Sequence, residues 1–297
     1  MAIKNVVHIG AAGSLGEVVL QRLLASDFNV KVLRREGSKS TLPNGVTVID
    51  ADFSSKESLV AALKDVDAVV STIANFAVPS QQIIIDAAIE AGVQRFIPSD
   101  FGSNLDHPAG RHLPVFAAKV KIQEYLIEKS KTTPLTWTSV ANNVFLDWGL
   151  EFGFLLGARD GKLRIVGTGD DKFSATALDS IAGSVVGILH HPDETENRTV
   201  FIDDIKISQN RILALAKQVA PEKEWDVQHV DVDEAVAEAQ EKWDKGIIEP
   251  STVIPFLLKA ALVKGNGGYF EKTDNELLGL KPKDEQYIVD VLTRLLK

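Results

Sequence analysis

Val6-Val7-His8-Ile9-Gly10-Ala11-Ala12-Gly13-Ser14-Leu15-Gly16 decides the fold. A short apolar strand runs into three glycines and then into Glu17-Val18-Val19-Leu20-Gln21-Arg22-Leu23-Leu24, whose apolar residues recur at helical spacing. Strand, glycine turn and helix in this order open a dinucleotide-binding βαβ unit: Gly10 allows a tight turn, Gly13 a close approach of backbone to a pyrophosphate, and Gly16 close packing of helix on strand. The unpaired amides of the helix's first turn then face the anion, which places Ala12, Ser14 and Leu15 at the same site. The triplet by itself also suits an ordinary strand-to-helix turn, so its neighbours have to decide.

Working outward, residues 29–33 read as a second strand that completes the unit, and Arg34-Arg35-Glu36-Gly37-Ser38-Lys39 follows it. NAD-preferring folds place an acidic residue here for the ribose hydroxyls. Two guanidiniums, with Lys39 nearby, suit a 2′-phosphate instead, so NADP(H) is the expected cofactor, with Glu36 keeping an NAD reading open. Residues 45–52 are a third strand ending in Asp52; Asp52 and Phe53 either border the adenine or, for Asp52, serve the local backbone. A Ser-capped helix over 54–64 comes next, with Glu57 placed for a capping box.

Residues 67–73 form a fourth strand whose small polar end, Thr72, leads to Asn75 and Phe76 beside the cofactor. A helix over 81–91 closed by Gly92, a fifth strand over 94–99 and a sixth over 135–140 keep the rhythm. Strands alternating with helices imply an α/β, Rossmann-type, doubly wound parallel sheet over residues 1–141, with returning segments around 173–202. Residues 142–297 lose the βαβ rhythm and gain Trp and Phe; they read as a smaller, interleaved, mostly helical substrate-binding part. Its helices are expected over 178–190, 209–219, 232–243 and 253–263, with a strand over 199–202.

The bulk chemistry narrows the function. The 297 residues are long enough for a large core, and the net charge of -9 shows no basic cluster, so no nucleic acid is expected to bind directly. The absence of cysteine excludes a disulfide framework and a thiolate nucleophile. The first strand begins too early for a signal peptide and no eighteen-residue apolar run occurs, so a cytoplasmic protein without membrane contact is expected. Asp170-Asp171 and Asp203-Asp204 lack the histidines or the loop spacing of a metal site, and no metal is expected. Nothing in the sequence sets the oligomeric state.

Several stretches together carry a resemblance: Gly10 to Gly16, the arginines after strand two, Arg95-Phe96-Ile97-Pro98-Ser99-Asp100-Phe101-Gly102, and Phe116-Ala117-Ala118-Lys119-Val120-Lys121-Ile122. On them the chain resembles the isoflavone reductase-like, NmrA-like branch of atypical short-chain dehydrogenases/reductases, which includes plant phenylcoumaran benzylic ether, pinoresinol-lariciresinol and isoflavone reductases. Leu262-Val263-Lys264-Gly265 and Asn275-Glu276-Leu277-Leu278-Gly279-Leu280 resemble fungal members. The resemblance covers nearly the whole chain. It implies that Lys119 meets the nicotinamide ribose and assists proton transfer, and that Asn143 lies near the active site.

Burial beside a cofactor suits Lys119 to that task, since desolvation depresses an ammonium's pKa. The other reading of the residues leaves Lys119 and Lys121 as exposed charges on a helix over 115–129, with Lys121 on a different face. The Tyr-x-x-x-Lys pair of typical short-chain dehydrogenases is absent, because the position four residues before Lys119 is Val115. The reductases of the branch lack it too, and so do its non-catalytic regulators. His107 and His112 are weaker candidates, and Phe76, Phe101, Phe145, Trp148, Phe152 and Phe154 are candidate walls of an aromatic pocket.

The expected function is an NADPH-dependent reductase of an aromatic or conjugated small molecule, with hydride from nicotinamide C4. The alternatives are an NmrA-like regulatory protein that senses NADP(H) without turnover, and an isomerase or cyclase that keeps NADP as a structural ligand.

Overall fold

The computed structural model describes residues 2–296. In chain order the elements are β1 (Asn5–Ile9), α1 (Ser14–Leu24), β2 (Asn29–Arg35), β3 (Thr47–Ala51), α2 (Lys56–Ala62), β4 (Ala68–Ser71), α3 (Gln81–Glu90) and β5 (Arg95–Ile97). They continue with α4 (Pro108–Arg111), α5 (Ala117–Lys129), β6 (Thr136–Ala141), β7 (Val144–Phe145), α6 (Leu146–Glu151), β8 (Lys162–Val166), β9 (Phe173–Thr176) and α7 (Leu178–His190). The last are β10 (Arg198–Phe201), β11 (Ile205–Ile207), α8 (Gln209–Val219), β12 (Asp226–Val230), α9 (Val232–Asp244), α10 (Pro250–Leu262) and α11 (Glu285–Leu296).

Seven parallel strands form the main sheet in the order β10-β6-β5-β4-β1-β2-β3. Alternation along the strands sends Val7, Ile9, Leu33, Val69 and Phe96 to one face, under α2, α3 and α5. Val6, Val70, Ile97, Val140 and Val200 go to the other, under α1 and α7. In α1 the buried positions are Gly16, Val19, Leu20 and Leu23, a helical stripe. Each such fully buried aliphatic side chain contributes about 1.5–3 kcal/mol. The chain runs from β1 to β2 and β3 on one side and then crosses to β4 on the other. The order therefore reverses between β1 and β4, and a doubly wound sheet opens its binding crevice at that point, beyond the carboxyl ends of the strands.

One buried cation ties the sheet's far side together. Arg95 donates to Thr136 Oγ1, Thr138 Oγ1, Thr195 Oγ1 and the Pro192 carbonyl, linking β5 to β6 and to the loop that leads into β10. Burial pulls its guanidinium down to about 10, so it remains charged at neutral pH.

The part beyond Asn143 is mostly helical, with α6 to α11 predominating over short strands. It also holds a three-stranded sheet, β11-β9-β7, and a parallel pair, β12-β8. These strands have two to five residues, too few for alternation to stand out in a sequence. Of the stretch around 173–202, β9 joins the small sheet, whereas α7 and β10 join the main layer. A core of its own, with Leu146, Leu155, Phe173, Ile212, Leu258 and Leu292 among its members, lies under these elements. The N-cap of α2 is Ser55, whose Oγ accepts from the Ser58 amide, rather than Ser54, which is turned to Asp52.

Candidate functional site

The turn after β1 shows three different reasons for three glycines. Gly10 has φ +88, and a Cβ there would stand 2.6 Å from the carbonyl carbon and oxygen of Thr72, so glycine lets the turn lie against the end of β4. A Cβ on Gly16 would stand 2.1 Å from the Gly10 carbonyl oxygen, so glycine lets α1 seat on the turn. A Cβ on Gly13 would meet nothing nearer than 3.6 Å, so the protein itself makes no demand for glycine there. Gly13 is also the N-cap of α1, and no side chain caps that helix. Its first amides are left for an external anion, in front of the one glycine of the three where a Cβ would make only an ordinary contact.

This turn opens a cleft of about 570 Å³ at the reversal between β1 and β4. Gly10, Ala12, Gly13, Arg34, Arg35, Phe53, Thr72 and Phe76 line it, as the sequence leads one to expect. Gly16 is buried beneath the turn and Leu15 packs into the α1 side of the sheet. Lys39 and Asp52 do not line the cleft, and the Asp52 carboxylate is taken by the Ser54 amide at 2.8 Å and hydroxyl at 2.6 Å. Ser38 and Ser40, which the sequence reading missed, do line it, their hydroxyls 3.1 Å apart. Their position three and five residues beyond the arginine pair was the available signal.

The two arginines are not equivalent. Arg34 lies opposite Asp50 in the β2–β3 register and meets its carboxylate with two bonds, Nε to Oδ1 at 2.8 Å and Nη2 to Oδ2 at 3.0 Å. That pairing holds the Arg34 guanidinium above, and the Asp50 carboxyl below, its ordinary value. Arg35 has no ion-pair partner among the described residues. No carboxylate lines this end of the cleft, so a dianionic phosphate would meet Arg35 and two serine hydroxyls.

Next to the cleft is a second cavity, of about 360 Å³, in which Ser14, Asn75, Lys119 and Asn143 meet. Lys119 sits in the first turn of α5, behind a 3-10 turn over Pro114–Phe116, and its Nζ donates to the Asp100 carbonyl oxygen at 2.5 Å. Desolvation pushes the ammonium below its ordinary value, and the Asp100 charge opposes this. Asp100 is itself buried, its Oδ2 accepting from Ser139 Oγ at 2.5 Å while Oδ1 has no partner; burial raises its carboxyl. Lys121 faces solvent.

The aromatic candidates divide. Phe101, Phe145, Trp148 and Phe154 wall this cavity, Phe76 stands exposed beside the other cleft, and Phe152 stacks on Trp148 from outside, with ring centroids 5.2 Å apart. Val115 lines the cavity where a typical short-chain dehydrogenase would present its tyrosine. His107 uses Nδ1 to accept from the Ala109 amide at the start of α4, and neither it nor His112 lines the cavity. Ser103, Val144, Leu257 and Ala261 are lining residues the sequence reading missed; the last two are four apart on α10, one helical face.

Asn143 closes the floor. Its backbone is left-handed, φ +49, and its amide accepts no ordinary turn role: Nδ2 faces the carbonyls of Ser174, Gly268 and Ala261 at 2.8, 2.9 and 3.1 Å. Among the described residues no group of three His, Cys, Asp or Glu side chains is placed to hold a metal, and no helix is long and apolar enough to cross a membrane.

A family model for the NmrA-like family matches residues 3–278. Over 100% of both chains, this one is 35% identical to Oxidoreductase aprR of Aspergillus flavus. It is 29% identical to phenylcoumaran benzylic ether reductase Betv6 of Betula pendula over 91% of each chain. Among solved structures, AtPrR2 with NADP+ and (+)pinoresinol superposes with a TM-score of 0.76 at 22% identity, covering 99% of each chain. A structure from a study of pinoresinol-lariciresinol and phenylcoumaran benzylic ether reductases superposes with 0.78 at 21% identity, covering 98% of this chain and 99% of that one.

Proposed function

The chain belongs to the NmrA-like family, and from that premise we propose that it is an NADPH-dependent reductase of an aromatic or conjugated small molecule. The observation that carries the reading is Lys119, a desolvated lysine held by a backbone carbonyl in the wall of an aromatic cavity that adjoins the glycine-turn cleft. Gly10 to Gly13 and the uncapped start of α1 take the pyrophosphate, and Arg35 with Ser38 and Ser40 takes the 2′-phosphate. Thr72 and Asn75 guide the nicotinamide half toward Lys119. When bound, NADPH supplies hydride from nicotinamide C4.

The chain's own residues do the rest. Lys119 donates the proton that the reduced product needs, and its depressed pKa makes that donation easier near neutral pH. The Asp100 carbonyl aims the ammonium. Phe101, Phe145 and Trp148 flatten the substrate and keep water out. A sensor without turnover would use the cleft alone; the open cavity beside it, with the half-buried Lys119 in its wall, favours an enzyme.

The test is a pair of variants. Lys119→Ala is expected to abolish NADPH oxidation with an accepted substrate while leaving NADPH affinity within about twofold, read by titration. Arg35→Ala is expected to weaken NADPH by about tenfold or more and to leave NADH nearly unchanged, the loss of a charge-assisted hydrogen bond being worth about 1.5–3 kcal/mol. Unchanged turnover in the first, or equal losses in the second, would overturn the corresponding role.

A further inference from the structure

Local structure does not account for the carboxylate of Asp100. The residue is buried just past β5 and flanks no helix that it could cap. Oδ2 accepts from Ser139 Oγ of β6 at 2.5 Å, and Oδ1 has no partner. A carboxylate with a bare buried oxygen is costly unless a positive charge lies close by. Lys119 of α5 is the cation that bears on it, and the exposed Asp106, ahead of α4, works against it.

Lys119 has the complementary need. It is the one charged side chain among the described residues that line the cavity, whose wall is otherwise largely apolar or aromatic. The positions three and four residues to either side of it, Val115, Phe116, Ile122 and Gln123, carry no charge. Burial works against the charged form of Lys119, and the Asp100 carboxylate opposes that effect. Nζ also donates to the Asp100 carbonyl at 2.5 Å, so the main chain and the side chain of one residue act on the same ammonium.

Asp100 is held on both sides. The Ser99 amide donates to Gln81 Oε1 at 2.9 Å and the Ser99 hydroxyl to the Ile73 carbonyl at 2.8 Å. Two residues beyond Asp100, the Gly102 carbonyl accepts from the amides of Asn142 and Asn143 at 3.0 and 2.8 Å. A charge fixed in this way needs no reorganisation when a proton moves beside it.

Resting on the proton-donating role proposed above for Lys119, we infer that Asp100 is a positioning residue: its carboxylate, held by Ser139, is the fixed counter-charge that keeps the Lys119 ammonium protonated in an apolar wall. The carbonyl of the same residue aims that ammonium. Ser139 takes part by donating to the ionised carboxylate, which favours that form.

The test titrates Lys119 directly. With lysine labelled with 13C at Cε, the Lys119 resonance is the one lost in Lys119→Arg. Followed against pH in the free protein, its midpoint should fall by about one pH unit in Asp100→Asn, the lower end of what one opposite charge supplies. Asp100→Glu, which keeps the charge, should restore most of the difference. Ser139→Ala, which takes a hydrogen bond from the ionised form, should move the midpoint the same way by less. The alkaline limb of kcat/KM should move to lower pH with the midpoint, while NADPH affinity stays within about twofold. An unmoved midpoint in Asp100→Asn, or in Ser139→Ala should the first variant not fold, overturns the inference even if turnover falls, since a merely structural residue would lower turnover equally at every pH. A midpoint that moves while the pH profile of turnover stays put upholds the counter-charge and counts against Lys119 as the proton donor, so the two readings fail separately.

Discussion

At the scale of single residues, burial sets the proton chemistry, and His8 shows it most simply. It is fully buried in β1, with Nε2 2.9 Å from Thr72 Oγ1 and Nδ1 without a partner. Thr72 Oγ1 also lies 3.2 Å from the carbonyl oxygens of Ile9 and Gly10, so its hydroxyl donates to the backbone and His8 donates to it. Burial lowers the imidazole from 6.5 to about 3. The folded state therefore holds fewer protons than the unfolded one between these values, and stability falls as pH drops below 6.5 and keeps falling toward 3. His8 alone should remove about 2.5 kcal/mol between pH 7 and pH 4.5, from the two-unit part of the shift crossed there. Urea unfolding at the two pH values checks this: His8→Val should reduce the acid loss by that amount, and an equal loss in both proteins would refute the assignment to His8. The same physics acts on Lys119, where desolvation also disfavours the charged form but the neighbouring Asp100 restrains it.

At the scale of elements, the glycine turn separates folding from binding. Gly16→Ala forces a methyl into the Gly10 carbonyl and should cost about 2–4 kcal/mol of stability, as overpacking against backbone does. Gly13 has φ -84 and ψ 165, which alanine adopts freely, and a Cβ there would stand at an ordinary contact distance of 3.6 Å from the Gly10 carbonyl oxygen. Gly13→Ala should therefore melt within a degree or two of the parent and yet bind NADPH about tenfold more weakly; thermal melts and titrations on the two variants read both quantities. That the turn was legible in the sequence follows from its being local: strand, glycines and helix are contiguous, and so are the apolar stripes that predict α7 over 178–190 and α8 over 209–219. Pairings across the sheet were not legible. Spacing along one strand cannot show that Asp50 of β3 stands beside Arg34, and it is this register that leaves Arg35 as the unpaired guanidinium. Nor could composition sort the aromatic residues into Phe101 and Phe145 on the cavity wall and Phe152 outside it, because that depends on how α6 seats on the second core.

At the scale of the whole molecule, the cavity lies on the seam between the parallel sheet and the part built on the second core. The stretch after β5 and the start of α5 form one wall, and α6 and α10 form the other. Asn143 is the residue that joins them. It lies two residues past the end of β6, its backbone amide donates to the Gly102 carbonyl, and its side chain reaches β9 at Ser174, the end of α10 at Ala261 and the following loop at Gly268. Two kinds of cost would follow its removal: a residue with a bulkier preference against φ +49 strains the turn, and the two N–H groups shared among the Ser174, Ala261 and Gly268 carbonyls are lost. Comparing two substitutions separates them. Asn143→Gly accepts the backbone and loses only the hydrogen bonds, whereas Asn143→Ala loses both, so alanine should be less stable than glycine by about 1 kcal/mol and each less stable than the parent by about 2–4 kcal/mol. Because those bonds hold α10 over the cavity and not over the glycine turn, both variants should bind the aromatic ligand several-fold more weakly and NADPH almost as the parent does. Equal weakening of the two ligands would place Asn143 on the dinucleotide instead, and loss of neither would mean that α10 is held across the seam by its apolar contacts alone.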